Sequence, residues 1–477
     1  MNKTIFVTTS IPYVNSRPHV GHAQEFIIAD CIARIYRALQ FEVIFQSGTD
    51  ENAFKNVVAA ASEGISVQEL VDKNAVIFRN LLGQLNISID TFIRTTEPRH
   101  RRGVELFWSL IKRDDLYAKS YDGLYCIGCE DFFLQKDLVD GLCPDHKAPP
   151  ELISEQNVFF RLSRYQTAIE ELILSDQIKI APVSRKNEAL GFIRQGLQDI
   201  SLTRAKSRSG GWGISAPDYP DQVIYVWIDA LINYLTGQGF GESADWQRVW
   251  NKDSKKIHVI GKNVWKFHAI YWPALLLSAG LPPPNEIVVH GFLTNNGIKI
   301  SKSLGNAIDP LAVVEKFGSD PIRHLLLSQT PIYGDSDFSI ERLGKIYSGD
   351  LANKLGNLLS RLLALCDKAQ FQIQFKASGL KTLDLSKYLD DYSLQEISQI
   401  GWIEIDKLNA EINQKRPWAL LNADAKNELH PLLDDWCQRL FQVANNLEPF
   451  VPDSSKRIQT GLEGREIIGR ILFPQKT

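Results

Sequence analysis

Two histidines, His19 and His22, flank Val20 and Gly21 at the point where a β-branched run ends and a helical pattern begins. Residues three apart on a first helical turn share one face. A helix N-terminus there would offer unpaired N–H groups and the positive end of the helix dipole, which suit phosphate. The imidazoles could therefore bind triphosphate oxygens. The segment alone is equally compatible with two capping or metal-binding histidines.

A second basic segment, GIKISKSLGN, follows a predicted strand far along the chain. It contains Lys299 and Lys302 three residues apart, with Ser301 between them. Lysine is a flexible point donor that can follow charge as it moves onto departing pyrophosphate. A solvated surface loop is the simpler alternative, but the order of residues favours phosphate handling. It favours the same interpretation for His19 and His22.

Three cysteines and a histidine have the spacing of a zinc site. Cys126 and Cys129 form C-x2-C, and after thirteen residues Cys143 and His146 form C-x2-H. Paired ligands at this spacing are typical of tetrahedral zinc on two knuckles. With all four positions filled by protein, the ion would be structural. Cys31, Cys366 and Cys437 lie in helical patterns, which predicts buried packing residues.

The elements that would position these residues alternate between strand and helix. KTIFVTTS, FEVIFQSG, KIHVIG and NEIVVH are predicted strands, while HVGHAQEFIIADCIARIYRAL and VWKFHAIYWPALLLSAG have helical spacing. Such alternation predicts a parallel sheet covered by helices on both faces. Residues 116–220 interrupt the pattern with cysteines and turns. From about residue 340 the periodicity is helical, which predicts a helix bundle.

Composition sets broad limits. A chain of 477 residues is too long for one core, so about two to four domains are expected. No window resembles a membrane span or a signal peptide. Six cysteines are too few for a disulfide scaffold and favour a reducing cytosol. The net charge of −3 means that any polyanion must bind to local patches.

The two phosphate motifs resemble the signatures of class I aminoacyl-tRNA synthetases, with HVGH for HIGH and KISKS for KMSKS. The chain is more specifically similar to the methionyl-tRNA synthetase family over essentially its whole length. The segments that carry this resemblance, in the family's order, are IPYVNSRPHVGH, SGTDEN, VDGLCPDH, YVWIDALINY, FHAIYWPALL, VHGFLTNNGIKISKSLGN, DLANKLGNLLSR and RPW.

The resemblance implies an α/β protein: a Rossmann-like parallel-sheet catalytic domain split by a zinc-knuckle insertion and followed by an all-α anticodon-binding bundle. The implied boundaries are 1–115 for the first half of the catalytic domain, 116–220 for the connective insertion, 221–295 for the second half, 296–345 for the KISKS loop and stem-contact region, and 346–477 for the anticodon-binding domain.

The resemblance also implies roles for individual residues. His19, His22, Lys299 and Lys302 would be catalytic, and ATP would bind to His19, Gly21, His22, Asn263, Lys299, Ser301 and Lys302. Methionine would bind to Ile11, Tyr13, Asp50, Trp227, Leu231, Tyr234, Phe267 and His268, with Asp50 holding its ammonium group. The CAU anticodon would be read by Asn357, Arg361 and Trp418, and the zinc would be held by Cys126, Cys129, Cys143 and His146.

Two segments depart from the family pattern. The chain has Asn52 and Ala53 where the family usually has His and Gly, and Asn263 where an acid commonly contacts the ribose. An amide can bind a ribose hydroxyl, but it lacks the charge that strengthens such a bond. These departures call the catalytic efficiency or the usual substrate into question.

The function expected is that of a methionine–tRNA ligase, which uses Mg²⁺-ATP, L-methionine and tRNA(Met). A cytoplasmic monomer is expected, with no membrane partner. One alternative is a specialised paralogue, either resistant to methionine analogues or a backup. The absence of any methionine after Met1 agrees with a backup enzyme, although drift in residue usage explains it more simply. The other alternative is a non-catalytic RNA-binding relative.

Overall fold

The computed structural model describes residues 4–126, 131–133, 135–144, 147–295, 297–300, 305–373, 385–422, 425–464 and 472–474. The chain divides into two compact units. The first unit consists of Met1–Pro18, Phe41–Asn80 and Ile89–His290. The second consists of His19–Gln40, Leu81–Ser88 and Gly291–Thr477.

The first unit is built on a parallel sheet of six strands. Their order across the sheet is Thr91–Arg94, Val43–Thr49, Ile5–Thr9, Lys255–Gly261, Glu286–His290 and Lys179–Ala181. Every neighbouring pair is parallel. All five residues of Ile5–Thr9 are buried, as expected for a strand covered on both faces. The α/β class with a parallel sheet is therefore confirmed.

The strand Lys179–Ala181 lies within the segment predicted to be an insertion, yet it forms an edge of the main sheet. The sequence analysis did not foresee this pairing. Other strands in and next to residues 116–220 form two antiparallel sheets. One contains Leu116–Cys126, Asp131–Phe133, Glu151–Phe160 and Ile200–Ser201, and the other contains Thr203–Ala205, Ser215–Ala216 and Tyr219–Ile224.

Helices and one apolar core complete the first unit. The core is rich in aromatic residues, with Trp250 and Trp272 5.8 Å apart between ring centroids. The α-helices are Phe54–Glu63, Val67–Gln84, whose last turn belongs to the second unit, Pro98–Leu110, Gln166–Leu174, Val183–Arg194, Val226–Thr236, Trp246–Val249 and Trp272–Ser278. A π-helical turn, Phe267–Tyr271, leads into the last of these.

The second unit is mainly helical. Its α-helices are Val20–Ala38, Pro310–Phe317, Ser319–Ser328, Ile340–Ile346, Asn357–Ala369, Ser386–Leu389, Leu394–Lys415, Pro417–Asn422, Lys426–Leu447 and Pro452–Leu462, with a π-helical segment over Tyr347–Gly356. Leu293–Asn295 pairs with Ile298–Lys299 and Ser336–Asp337 in a small sheet.

A buried ion pair holds the first helix of this unit. The guanidinium of Arg323 lies 2.7 Å from the carboxylate of Asp30, and both side chains are fully buried. Arg323 also donates to the carbonyl of Pro449, so one side chain connects three segments of the unit. Burial opposes ionisation of Asp30, but Arg323 and Arg34 more than offset it and lower the pKa of this carboxyl.

No helix among the described residues is both long and apolar enough to cross a membrane. The helices predicted after HVGH and in the last third of the chain are present among the described residues. The five domain boundaries remain predictions.

Candidate active site

The order of the parallel strands predicts where a ligand would bind in the first unit. The chain runs outward from Ile5–Thr9 in one direction and from Lys255–Gly261 in the other, so these adjacent strands form a switch point. Ligands of open α/β sheets bind outside the carboxyl ends of strands at such points. The residues that follow these strands include Ile11, Tyr13 and Asn263, all predicted from the sequence to bind substrates.

Three of the residues predicted to bind methionine form an aromatic cluster. The rings of Trp227 and Phe267 are stacked with their centroids 4.4 Å apart. Tyr13 packs against Trp227 with its centroid 5.6 Å away, and the ammonium of Lys55 lies 5.0 Å from the Tyr13 ring. Leu231 follows Trp227 by one turn of the helix Val226–Thr236 and is buried. Such apolar walls suit a flexible thioether.

A hydrogen bond joins two more predicted residues. The Tyr234 hydroxyl lies 2.6 Å from Nε2 of His268, and Nδ1 of His268 lies 3.0 Å from the carbonyl oxygen of Val264. A carbonyl can only accept, so the His268 proton is on Nδ1. Tyr234 therefore donates to Nε2 of the neutral ring. Both side chains are buried, which fixes this polar pair beside the aromatic cluster.

His258, which was not predicted from the sequence, is a third member of this group. Its ring lies 4.2 Å from that of Tyr234, and its Nδ1 is 2.6 Å from the hydroxyl oxygen of Thr8. Burial, aided by the neighbouring His268 and by Lys256, lowers the pKa of His258 well below its usual range. A histidine inside the apolar strand pattern of KIHVIG was the available sequence signal.

The loop after Val43–Thr49 carries Asp50 and Asn52. The amide of Asp50 donates to the carbonyl of Pro12 at 2.8 Å, which ties this loop to the segment containing Tyr13. The loop is held by Glu51, which is fully buried and receives two hydrogen bonds from Arg94 at 2.7 and 2.9 Å. Sequence reasoning did not identify Glu51 or Arg94.

Asn52, one of the departures from the family pattern, is accommodated by hydrogen bonds. Its Nδ2 group donates to the carboxylate of Asp229 at 2.9 Å and to the carbonyl of Thr95 at 3.2 Å. Asp229 is fully buried. The amide of Asn52 thus donates one hydrogen bond to the Asp229 carboxylate and one to the Thr95 carbonyl. Without it, each of these acceptors would lose a hydrogen-bond donor. Asn263, the other departure, is exposed on the turn that follows Lys255–Gly261.

The second unit contains the HVGH turn. His19 is the N-cap of the helix Val20–Ala38, and its Nδ1 accepts a hydrogen bond from the Gly21 amide at 3.0 Å. Nδ1 of His22 accepts from the His19 amide at 3.1 Å, so the two rings form a reciprocal capping box. The ring centroids are 4.0 Å apart. A Cβ at Gly21 would lie 2.8 Å from Cε1 of His19.

These caps determine the tautomer of both rings. An Nδ1 atom that accepts an N–H bond carries no proton, so the proton of a neutral ring is on Nε2. The turn therefore provides two imidazoles with N–H donors at a helix N-terminus, where anions are favoured. Capping and phosphate binding, the alternatives considered from the sequence, use different nitrogens.

Part of the lysine motif lies among the described residues of the same unit. Lys299 ends the strand Ile298–Lys299, and its backbone pairs with Thr294. Ser301 and Lys302 lie outside the described residues. Just after the motif, the carbonyl of Ile308 accepts from the Val20 amide at 3.0 Å. This bond connects the segment that follows KISKS to the HVGH turn.

The three predicted anticodon residues also lie in this unit. Asn357 and Arg361 are one turn apart on the helix Asn357–Ala369, and Asn357 is exposed. The guanidinium of Arg361 donates to Asn413 at 2.7 Å and to Asn409 at 2.8 Å. Trp418 is 44% exposed on the helix Pro417–Asn422, which contacts Asn357–Ala369.

Two of the four predicted zinc ligands lie among the described residues. Cys126, at the end of a strand, and Cys143 are both buried in the first unit, whereas Cys129 and His146 lie outside the described residues. The Cys143 carbonyl accepts a hydrogen bond from the Lys147 amide at 2.8 Å. Two buried thiols are compatible with the ligands of a structural zinc.

Comparison with known proteins agrees with these features. The model of the family described as tRNA synthetases class I (M) matches residues 5–149 and 136–363. The methionine–tRNA ligase of Thermotoga maritima is 38% identical over 99% of this chain and 76% of its own length. That of Rickettsia felis is 36% identical over 98% of this chain and 94% of its own.

A solved structure of the methionyl-tRNA synthetase of Mycobacterium tuberculosis in complex with methionyl-adenylate has a TM-score of 0.88 and 34% identity. The alignment covers 99% of this chain and 100% of that one. The apo form of the same enzyme has a TM-score of 0.80 at 33% identity and covers 100% of this chain and 97% of that one. The chain belongs to the class I tRNA synthetases of type (M), the methionine–tRNA ligases, enzymes that form aminoacyl-tRNA.

Proposed function

We propose that this chain activates L-methionine with ATP and transfers the methionyl group to tRNA(Met) with a CAU anticodon. The observation that carries the proposal is the HVGH turn, in which caps on both Nδ1 atoms assign the protons to the Nε2 atoms. Two neutral N–H donors at a helix N-terminus suit the phosphates of ATP, bound as its Mg²⁺ complex.

The first step would be attack by the methionine carboxylate on the α-phosphorus of ATP, which gives methionyl adenylate and pyrophosphate. His19 and His22 would donate Nε2–H bonds to phosphate oxygens as charge develops there. Lys299 and Lys302 would follow the charge onto pyrophosphate, with Ser301 binding the nucleotide. No protein nucleophile is needed, so catalysis consists of positioning and charge stabilisation.

Methionine would be held by the cluster around Trp227. Its thioether would lie against Tyr13, Trp227 and Phe267, with sulfur–aromatic contacts, while Ile11 and Leu231 supply aliphatic surface. Asp50 would bind the α-ammonium group. Fixed shape is needed here, because one methylene contributes only about 1–3 kcal/mol to discrimination between amino acids.

The hydrogen-bonded pair of Tyr234 and His268 would form the polar end of this pocket. Because Tyr234 donates its proton to Nε2 of His268, its oxygen can act towards a ligand only as a hydrogen-bond acceptor. Asn263, exposed after the strand Lys255–Gly261, would bind the ribose of ATP.

In the second step, the 3′-terminal adenosine hydroxyl of tRNA would take the methionyl group from the adenylate. Asn357, Arg361 and Trp418 would read the anticodon by hydrogen bonds and stacking, as is usual for single-stranded RNA. The 44% exposure of Trp418 leaves an indole surface on which a base can stack. The bundle that carries them would be the anticodon-binding domain, residues 346–477.

A structural zinc would be held by Cys126, Cys129, Cys143 and His146 in the connective insertion. The two described cysteines are buried, as ligands of a closed site are. The ion would stabilise the knuckle and take no part in the reaction. We also propose that the enzyme works as a cytoplasmic monomer, which light scattering on the purified chain would test.

The decisive experiment is ATP–pyrophosphate exchange with a panel of amino acids, followed by charging of tRNA with a CAU anticodon. Methionine should be the best substrate and the tRNA should be charged. Tight exclusion of methionine analogues, or preference for another amino acid, would instead indicate a specialised paralogue. Binding of tRNA without exchange or charging would indicate a non-catalytic relative.

An Asn263→Asp variant measured in parallel shows what the departure at this position costs. If an acid contacts the ribose better than an amide, the variant should lower KM for ATP. An unchanged KM would mean that the amide at position 263 does not weaken ATP binding.

A further inference from the structure

Two cysteines outside the proposed sites lie next to each other in the second unit. Sγ of Cys366 and Sγ of Cys437 are 3.8 Å apart, although the residues are 71 positions apart in sequence. Cys437 is fully buried and Cys366 is 6% exposed. A disulfide requires about 2.05 Å between sulfurs. Rotation of the two side chains, with a small shift of the helices, could close the difference.

The helices that carry the two thiols pack in antiparallel directions. Cys366 is near the end of Asn357–Ala369, and Cys437 is in the middle of Lys426–Leu447. His430 Nε2 lies 3.3 Å from the Ala369 carbonyl, which places a position before Cys437 beside one after Cys366. The cysteines are therefore held opposite each other by the register of the helix pair.

The thiols differ chemically. The hydrogen bond between them lowers the pKa of Cys366, while the same bond, together with burial, raises the pKa of Cys437. Either sulfur can be the donor of this bond, and Cys366, the less deeply buried of the two, has the greater thiolate character. The thiolate is the reactive form of cysteine. Cys31 provides a contrast, because burial raises its pKa with no neighbouring thiol to offset it.

We propose that Cys366 and Cys437 form a peroxide-oxidised disulfide site that links the helices Asn357–Ala369 and Lys426–Leu447. The Cys366 thiolate attacks one oxygen of hydrogen peroxide, the O–O bond breaks, and hydroxide leaves, which gives a sulfenic acid. The Cys437 sulfur then attacks the Cys366 sulfur and the S–O bond breaks. Overall, two thiols and one peroxide give one disulfide and two waters.

A disulfide between Cys366 and Cys437 should affect tRNA binding. This expectation rests on the proposed anticodon role of Asn357 and Arg361. Arg361 lies five residues before Cys366 on the same helix, and its guanidinium is fixed by Asn409 and Asn413. Drawing the sulfurs together moves this helix relative to its neighbours. Oxidation should therefore weaken tRNA charging but leave amino-acid activation unchanged.

The test exposes the full chain to hydrogen peroxide and maps its disulfides by peptide mass spectrometry. Because Met1 is the only methionine, oxidised thioethers cannot obscure the result at any internal position. We expect a crosslinked peptide that contains Cys366 and Cys437 and that disappears on reduction. KM for CAU-anticodon tRNA should rise about tenfold, with ATP–pyrophosphate exchange unchanged.

Cys366→Ser and Cys437→Ala should each abolish the crosslink and keep charging resistant to peroxide, while Cys31→Ser, the matched buried-cysteine control, should behave as the parent. Absence of the crosslink in the parent would overturn the proposal, as would loss of charging in Cys366→Ser to the same extent as in the parent. A crosslink without any change in charging would refute the link to tRNA. Loss of both exchange and charging would place the damage elsewhere and contradict the proposed effect.

Discussion

Replacement of Gly21 by alanine should inactivate the enzyme without unfolding it. The new Cβ would lie 2.8 Å from Cε1 and 2.9 Å from Nδ1 of His19, which is closer than van der Waals contact allows. The His19 ring must turn away, and the hydrogen bond that Nδ1 accepts from the amide of residue 21 is lost. The imidazole then no longer presents Nε2–H from the capped position.

The two effects on stability nearly cancel. Loss of an N-cap costs about 0.5–2 kcal/mol. Alanine gains about 0.5–1 kcal/mol over glycine within a helix. The free energy of unfolding should therefore change by only about 1 kcal/mol. Loss of one aligned donor to developing phosphate charge, by contrast, typically lowers kcat about 10²- to 10³-fold.

The assay is ATP–pyrophosphate exchange beside urea unfolding of the same preparation. Gly191→Ala is the matched control, because Gly191 is an exposed helix residue where an added Cβ meets nothing within 4 Å. It should retain activity and gain a little stability. Gly21→Ala with exchange within twofold of the parent would refute the assigned role of the cap. Equal loss of folding and exchange would refute it as well.

Three further predictions concern other parts of the chain. Trp418→Ala should raise KM for tRNA in charging, since stacking of one base contributes about 1–3 kcal/mol, and should leave pyrophosphate exchange and the melting temperature unchanged; a normal KM would argue against stacking. Arg323→Met should lower the free energy of unfolding in urea by about 3–5 kcal/mol, because it removes one of the two cations that pair with the buried Asp30 carboxylate, together with the hydrogen bond to Pro449; a loss below 1 kcal/mol would contradict this. Burial lowers the pKa of His100 to about 3, so the unfolded chain alone takes up this proton below pH 6.5, and stability should fall by about 1.4 kcal/mol per pH unit from there towards pH 3. His100→Gln should flatten this slope in urea titrations, and an unchanged slope would assign it to other groups.

The parts of the fold that the sequence predicted share a strong local signal. Ile5–Thr9 and Glu286–His290 are β-branched runs, and Val20–Ala38 has a clear apolar stripe, so each element could be recognised in isolation. Lys179–Ala181 could not. It has three residues, and its place at the sheet edge depends on pairing with a strand more than 100 residues away.

The same distinction between local signals and distant partners applies to the residues of the candidate sites. Residues in fixed motifs, such as His19 and Lys299, were identified because type and spacing together are informative. Glu51 and His258 were missed because their roles depend on partners distant in sequence, Arg94 and Thr8, that only the folded chain brings close. The pairing of Cys366 with Cys437 could not be predicted for the same reason, since no spacing rule connects two cysteines on different helices.

The HVGH turn shows why the sequence alone left its histidines undecided. Capping and phosphate binding were treated as alternatives, yet the cap uses Nδ1 of each ring and phosphate binding would use Nε2. By accepting a backbone N–H there, His19 and His22 are each held as the tautomer with the proton on Nε2. The spacing of three allows the reciprocal caps, and glycine at position 21 leaves room for the His19 ring. The cap is therefore what makes the turn a pair of oriented donors, so the structural role and the proposed catalytic role depend on the same four residues.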